Sequence, residues 1–143
     1  MEDTVAWVTL VVGKETLVHR RLWPALVAAA ECRQDWQLRG LNPSARSLLR
    51  RVRSGDRVQV DRERAAAATE LERRLLVRGA SEHTPSGRHA RFLETWQAWA
   101  TKQGIAAADL PAVPDALAAL AAPVLDWTGG RAPPGILPWL PRR

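Results

Sequence analysis

One stretch, residues 42–74, constrains the fold more than any other part of the sequence. It begins with Asn42, a favourable helix N-cap, followed by Pro43, which suits the first helical position. Leucines and a valine at helical spacing predict an amphipathic helix that ends at Gly55. Residues 56–60 (DRVQV) then alternate as a short strand does. A capped helix followed so closely by a strand indicates an α+β fold.

A further helix follows this strand. Asp61 is a good N-cap, and four consecutive alanines at 65–68 favour helix through about Arg74. The apolar run 75–77 (LLV) then predicts a buried strand that opens a turn at Gly79.

The N-terminal part predicts a β-hairpin. Residues 4–12 (TVAWVTLVV) are rich in β-branched side chains, and residues 15–23 (ETLVHRRLW) alternate between apolar and polar. Gly13 and Lys14 between them suit a two-residue hairpin turn. The second arm could instead begin a helix.

Two more helices flank the central stretch. Apolar spacing predicts one helix from Pro24 as far as Gly40. The other begins at residues 84–87 and stops at Gly104. Its apolar face is formed by Phe92, Leu93, Trp96, Trp99 and Ala100. The alternative makes residues 88–94 the return strand of a hairpin, but the persistent apolar spacing favours the helix.

The composition shifts to alanine, proline and leucine from Ile105 onward. A short helix is predicted for residues 114–122. The final segment, residues 132–143 (APPGILPWLPRR), contains four of the ten prolines and cannot be regular structure. Its apolar side chains predict that it packs back onto the domain. We therefore expect a hairpin at 1–23, a central domain at 24–104 and a proline-rich extension at 105–143.

Positive charge is concentrated in the centre of the chain. Residues 39–91 contain 13 arginines and six acidic residues, a net charge of +7, whereas the whole chain carries +6. Such a concentration is typical of a nucleic-acid binder. A soluble, arginine-rich surface without a nucleic-acid partner is the alternative.

Other classes of site have little support in the sequence. Cys32 is the single cysteine, and it shows no metal-ligand spacing with the three histidines, so neither a disulfide nor a metal site is expected. No catalytic serine motif or glycine-rich phosphate loop is present, and no cofactor is expected. The apolar run 5–12 is too short to span a membrane, which predicts a cytoplasmic protein.

The order of elements predicts a winged helix-turn-helix, an α+β fold that is mostly α, with an N-terminal β-hairpin and a proline-rich C-terminal extension. The third helix would be the recognition helix, and the turn after it would supply the wing. The basic side chains on these elements, with one threonine, are the predicted duplex-DNA contacts: Arg46, Arg50, Arg53, Arg57, Arg62, Thr69, Arg73, Arg74, Arg78, Arg88 and Arg91.

Each basic helix also has a plainer interpretation. The arginines of the second helix could form a solvated face paired with Asp56 and its neighbours. On the third helix, Glu70 and Arg74 have the spacing of a surface ion pair, and Glu70 would repel phosphates.

Seven tryptophans are the remaining unusual feature. Most fall on apolar stripes, which favours core packing or a dimer interface over stacking on unpaired bases. A homodimer would use the Trp-rich helix, the N-terminal hairpin or the C-terminal tail. Trp139 is the best candidate for an exposed ring that faces a partner.

Three segments (LWPALVAAAECRQDW, LNPSARSLLRRV and ELERRLLVRGASEHTPSGRHARFLETW) resemble bacterial winged-helix proteins. Across residues 22–103 the chain is similar in particular to modules related to the AlkZ/YcaQ-type DNA glycosylases, which unhook interstrand crosslinks. The resemblance implies tandem winged helices and a Gln-x-Gln or Gln-x-Asp motif that positions a catalytic water. Gln59-Val60-Asp61 matches the second form, but Asp61 is better explained as a helix cap. The chain is also far shorter than those enzymes.

We therefore expect a non-enzymatic, DNA-binding winged-helix protein of the bacterial cytoplasm, acting in transcription regulation or in DNA maintenance and repair. The alternative is a protein-interaction or dimerisation module on the same scaffold. A minor alternative is a reduced glycosylase relative that recognises damaged DNA without catalysis.

Overall fold

The computed structural model describes residues 4–55, 57–131, 133 and 135–140. These residues form six α-helices and two small antiparallel sheets, so the prediction of an α+β fold with more helix than strand is confirmed. Within the described ranges, no helix combines the length and the apolar character that crossing a membrane requires.

The predicted N-terminal hairpin is confirmed. Strand β1 (Val5–Thr9) pairs antiparallel with β2 (Glu15–His19), and Trp7 lies opposite Leu17. The prediction of a two-residue turn was wrong, because five residues connect the strands and three of them form a 3₁₀ turn (Val11–Gly13). Gly13 adopts a φ of 66°, a conformation that glycine accepts without strain.

The single helix predicted from Pro24 to Gly40 is interrupted. Helix α1 (Trp23–Ala30) is buried along nearly its whole length, whereas α2 (Asp35–Leu38) is a single turn. The polar residues between them turn the chain, and Arg33 there has a φ of 51°. Gln37 is buried and donates from Nε2 to the carbonyl of Ala30 at 2.8 Å, which holds α2 against the end of α1.

The central elements follow the prediction most closely. Helix α3 (Pro43–Ser54) begins at the predicted cap, where the Asn42 side chain accepts the Ser44 N–H at 2.9 Å. It buries Leu48, Leu49 and Val52 and ends before Gly55. The strand that follows, β3 (Val58–Gln59), is only two residues long, and Asp56 lies outside the described residues.

Helix α4 (Ala65–Arg73) begins later than predicted. Asp61 accepts the Arg64 N–H at 2.9 Å and forms an ion pair with the Arg64 guanidinium at 2.8 Å. Asp61 therefore caps a turn over residues 62–64 and not the helix itself. The alanine run then starts the helix, as helix propensity requires.

The helix predicted from residues 84–87 to Gly104 was wrong over its first half. Strands β4 (Arg78–His83) and β5 (His89–Glu94) form a hairpin, and β5 also pairs with β3, so the sheet order is β3-β5-β4. The alternative of a return strand at 88–94 is confirmed. The strand predicted at 75–77 begins three residues later, at Arg78.

The last helices close the fold. Helix α5 (Trp96–Lys102) starts only after Thr95, whose hydroxyl accepts the Ala98 N–H at 3.1 Å. Helix α6 (Val113–Trp127) is longer than the predicted 114–122 and includes Pro123. Beyond it, Ile136 and Leu137 of the tail are buried and belong to one cluster with residues of the hairpin, α1, α5 and α6.

The buried side chains form two clusters. The first joins the N-terminal hairpin, α1, α5, α6 and the tail, so it draws on all three predicted segments. The second joins α3, α4 and the three-stranded sheet. In the first cluster, Trp99 packs edge-to-face on Trp23 and on Trp96, with ring centroids 4.9 and 5.4 Å apart. Core packing is thus confirmed for these three rings.

Candidate nucleic-acid interface

Helix α3 carries a row of exposed arginines, formed by Arg46, Arg50 and Arg53 and called here the α3 arginine row. Spacings of four and three residues place them on one side of the helix, away from the buried Leu48. None of the three guanidinium groups bonds to a carboxylate or carbonyl anywhere in the described part of the chain. The row therefore presents its positive charge to solvent.

Two further arginines extend this surface, and the sequence analysis did not include them. Arg51 is exposed on the other flank of α3, and its position beside Arg50 in the sequence could have indicated it. Burial and the nearby charge of Arg33 lower the pKa of Arg53, while Glu31 opposes that shift. Arg33 lies between α1 and α2, so only the fold brings it close to Arg53.

The β4–β5 turn carries a further exposed arginine and two exposed histidines. Arg88 is exposed at this turn, where Gly87 has a φ of 78° and the Thr84 N–H donates to the Arg88 carbonyl at 2.8 Å. His83 and His89 are cross-strand partners with ring centroids 4.2 Å apart. The turn is tight and basic, and it projects from the end of the hairpin.

Other arginines predicted to contact DNA are engaged within the protein. Arg57 forms an ion pair with Glu82 at 2.7 Å and lies over the Phe92 ring, 4.2 Å from its centroid. Arg78 forms an ion pair at 2.9 Å with the buried carboxylate of Glu94. These two guanidinium groups stabilise the sheet. Since their donors are already bonded to carboxylates, they are poorly placed to bind a phosphate.

Arg91 and Thr69 are also engaged, because both belong to one network between β5 and α4. Arg91 forms an ion pair with Glu72 and donates to the Thr69 hydroxyl at 3.3 Å. Thr69 in turn donates to the Ala65 carbonyl at 3.0 Å. Gly79 makes room for the carboxylate, since a Cβ there would lie 1.4 Å from Glu72 Oε1.

Arg74 holds α2 against α4. Its Nη1 donates to the carbonyls of Gln37 and Arg39 at 3.0 and 2.6 Å, and its Nη2 lies 3.3 Å from Glu70 Oε1. The predicted Glu70–Arg74 ion pair is therefore confirmed. Glu70 also accepts the Asn42 N–H at 3.2 Å, so the start of α3 adjoins this pair.

The outward face of α4 forms the floor of a groove of about 1280 Å³, called here the α4 groove. Ala65, Ala66, Thr69, Glu70 and Arg73 contribute from α4. The walls come from α2, the β1–β2 turn and the tail: Leu10, Gly13, Asp35, Trp36, Arg39, Arg74, Gly135, Leu137, Pro138, Trp139 and Leu140. The outward face of α4 is therefore flanked by α2, the β1–β2 turn and the tail. Arg62, in the preceding turn, is exposed outside the groove lining.

The Gln-x-Asp match lies outside the α4 groove and the smaller cavity beside Trp96. Gln59 is exposed on β3, and the Asp61 carboxylate is held by Arg64. These contacts favour a structural role for Asp61.

The tryptophan predicted to be exposed is not the most exposed one. Trp139 is partly buried and packs edge-to-face on Trp36, with ring centroids 5.6 Å apart. Trp127 and Trp7 are instead 81% and 58% exposed. The prediction for Trp139 was wrong because the tail folds back onto α2.

The described residues thus define a small α+β domain with an unpaired arginine row on one helix and a groove beside another. No three His, Cys, Asp or Glu side chains within those residues cluster as metal ligands. Comparison with protein-family models, with curated proteins and with solved structures gave no match.

Proposed function

We propose that this chain is a non-enzymatic DNA-binding protein that holds duplex DNA through its phosphates. The observation that carries the proposal is the α3 arginine row, three exposed arginines whose guanidinium groups form no ion pair among the described residues. Arginine forms strong, charge-assisted hydrogen bonds with phosphate oxygens. Such a row would follow a DNA backbone without reading its sequence.

The element order supports a winged-helix interpretation. A helix precedes β3, the sheet order is β3-β5-β4, and β4 and β5 form a hairpin in the position of a wing. The arrangement departs from a helix-turn-helix in one respect. Only one helix, α4, lies between β3 and β4, preceded by the turn at 62–64 where a second helix would stand.

This departure changes which elements would contact DNA. A recognition helix must project far enough to enter a major groove, which is about 12 Å wide. The outward face of α4 is flanked by the other elements that line the α4 groove, and its Thr69 hydroxyl is already bonded. We therefore assign the duplex contacts to the α3 arginine row and to Arg88 at the wing, with Arg62 beside them.

A binding titration tests the proposal. The double variant R50A/R53A should bind a fluorescently labelled duplex of about 20 base pairs at least tenfold more weakly than the parent protein at about 50 mM salt. The matched control is R131A, which removes an exposed arginine near the end of α6. A parent protein that does not bind the duplex, or a control that loses as much affinity as the double variant, would contradict the proposal.

A protein-interaction role is the second candidate, and one observation favours it. Trp7 and Leu17 are cross-strand partners on the N-terminal hairpin, and both are more than half exposed. Exposed apolar pairs of this kind often mark protein contacts. Analytical ultracentrifugation of the parent and of W7S distinguishes the roles, since a self-association face predicts a dimer that the variant loses.

A further inference from the structure

We propose that the α4 groove binds an unpaired nucleotide, so that the protein prefers DNA containing a single-stranded gap to fully paired duplex. This inference rests on the proposed DNA-binding function and adds a ligand class to it. The groove exceeds the 300–1,000 Å³ typical of small-molecule sites, which suits a segment of a polymer.

Aromatic surface is the first component of the site. Trp36 and Trp139 both line the groove and are partly exposed. Trp36 donates its indole N–H to Gln34 Oε1 at 3.1 Å, so its polar atom is already satisfied. The two rings also pack edge-to-face on each other, so the exposed remainder is the π surface on which a base can stack.

Positive charge is the second component. Among the charged residues of the lining, Glu70 and Arg74 neutralise each other through their ion pair. The remaining charges are Arg39, Arg73 and Asp35, a net charge of +1. Arg39 and Arg73 are exposed, and neither guanidinium has a hydrogen-bond or ion-pair partner within the described ranges. They are available for the phosphate that accompanies a base.

Shape is the third component. The floor contains Ala65, Ala66 and Thr69, whose short side chains leave space above α4. At one rim, the Arg73 side chain lies beside Gly13 of the β1–β2 turn. A Cβ at Gly13 would lie 3.7 Å from Arg73 Nε, which is ordinary van der Waals contact. The space that these short side chains leave is where a flat base would lie.

The groove also adjoins the proposed duplex-binding surface. Glu70 on its floor accepts the N–H of Asn42, the cap of α3. Arg46 stands one turn further along that helix. A strand whose phosphates follow the α3 arginine row could therefore place an unpaired nucleotide in the groove.

The experiment compares two labelled duplexes of equal length, one fully paired and one with a gap of two unpaired nucleotides, bound to the full-length protein. We expect the gapped duplex to bind about tenfold more tightly, within the range that base stacking on an aromatic side chain provides. The variant A66W, which fills the groove from an exposed helical position, should abolish this preference. R73Q should reduce it.

The matched control is A118W, which places the same bulky ring on an exposed position of α6 that does not line the groove. It should keep the preference, and circular dichroism of both tryptophan variants checks that each one folds. If A66W does not fold, R73Q and A66L take its place.

The possible outcomes distinguish failure of this inference from failure of the proposed DNA-binding function. Equal affinity for the two duplexes, or a preference that survives A66W, overturns the inference while leaving duplex binding intact. Failure to bind either duplex overturns the proposed function as well.

Discussion

The arginines of α3 and the arginines of the three-stranded sheet are the same residue type in opposite circumstances. On the sheet, Arg57, Arg78 and Arg91 each bond to a glutamate. On α3, Arg50 and Arg53 form no ion pair in the described part of the chain. The difference shows that the number of arginines in the sequence is larger than the number that a polyanion could contact. Those with partners stabilise the fold, and those without partners define the candidate interface.

The largest effect on stability should come from Arg78. Glu94 is buried, with Arg78 at 2.9 Å and Lys102 at 2.7 Å, so R78A leaves a buried carboxylate with one partner that is itself largely exposed. We expect the free energy of unfolding to fall by about 3 kcal/mol. Urea denaturation measures this change. If R78A is as stable as the parent protein, the ion pair between Arg78 and Glu94 does not stabilise the fold.

A smaller effect is expected from Gly79. Its substitution by alanine places a Cβ where the Glu72 carboxylate lies, so the carboxylate must leave Arg91. We expect G79A to lower the free energy of unfolding by about 1–2 kcal/mol. In a background that carries E72A, the same substitution should cost almost nothing. Additive losses in this double-mutant cycle would disprove the coupling between Gly79 and the Glu72–Arg91 pair.

Arg57 should have a still smaller effect. Its ion pair with Glu82 is about half exposed, and pairs of this kind contribute about 0.2–1 kcal/mol. The guanidinium also lies over Phe92, which adds about 0.5–1 kcal/mol at an exposed site. We expect R57A to destabilise the protein by about 1 kcal/mol, measured by urea denaturation. R57K, which keeps the charge but not the planar contact, should recover part of the loss.

The smallest effect on stability is expected from the α3 arginine row. Arg46 and Arg50 are exposed and lack partners among the described residues, so each alanine variant should change the free energy of unfolding by less than about 0.5 kcal/mol. Thermal denaturation of R46A and R50A provides the measurement. A loss above about 1 kcal/mol in either variant would show that the row supports the fold.

The sequence predicted α3 well because the information is local. Asn42, Pro43 and the leucine stripe lie within three helical turns, and each acts on its own neighbours. The partners of the arginines are not local. Arg57 is paired with Glu82 and Arg91 with Glu72, and the register of the sheet brings them together. The spacing of charges along the chain could not reveal which arginines remain unpaired.

The error at residues 89–94 has a similar origin. Leu93, Trp96 and Trp99 keep helical spacing, but Leu93 is buried in the second cluster and the two tryptophans in the first. One apolar pattern therefore serves a strand and a helix that bury their side chains in different places. The cap at Thr95 and the glycine turn at Gly87 were the local signals of this boundary.

The α4 groove was beyond prediction from the sequence. Its walls come from α2, the β1–β2 turn and the tail, which lie far apart in the chain. The interrupted helix after Ala30 places Trp36 on one wall, and the returning tail places Trp139 beside it. The spacing of residues on α4 indicates neither the interruption after Ala30 nor the position of the tail.

The salt dependence of duplex binding tests the division between the two arginine classes most directly. The slope of log K against log salt reports how many phosphates the protein neutralises. We expect R50A/R53A to reduce the magnitude of this slope by about two, and R91A, measured where it remains folded, to leave it unchanged. A slope that R91A reduces as much as the double variant does, or that R50A/R53A leaves unchanged, would contradict the account.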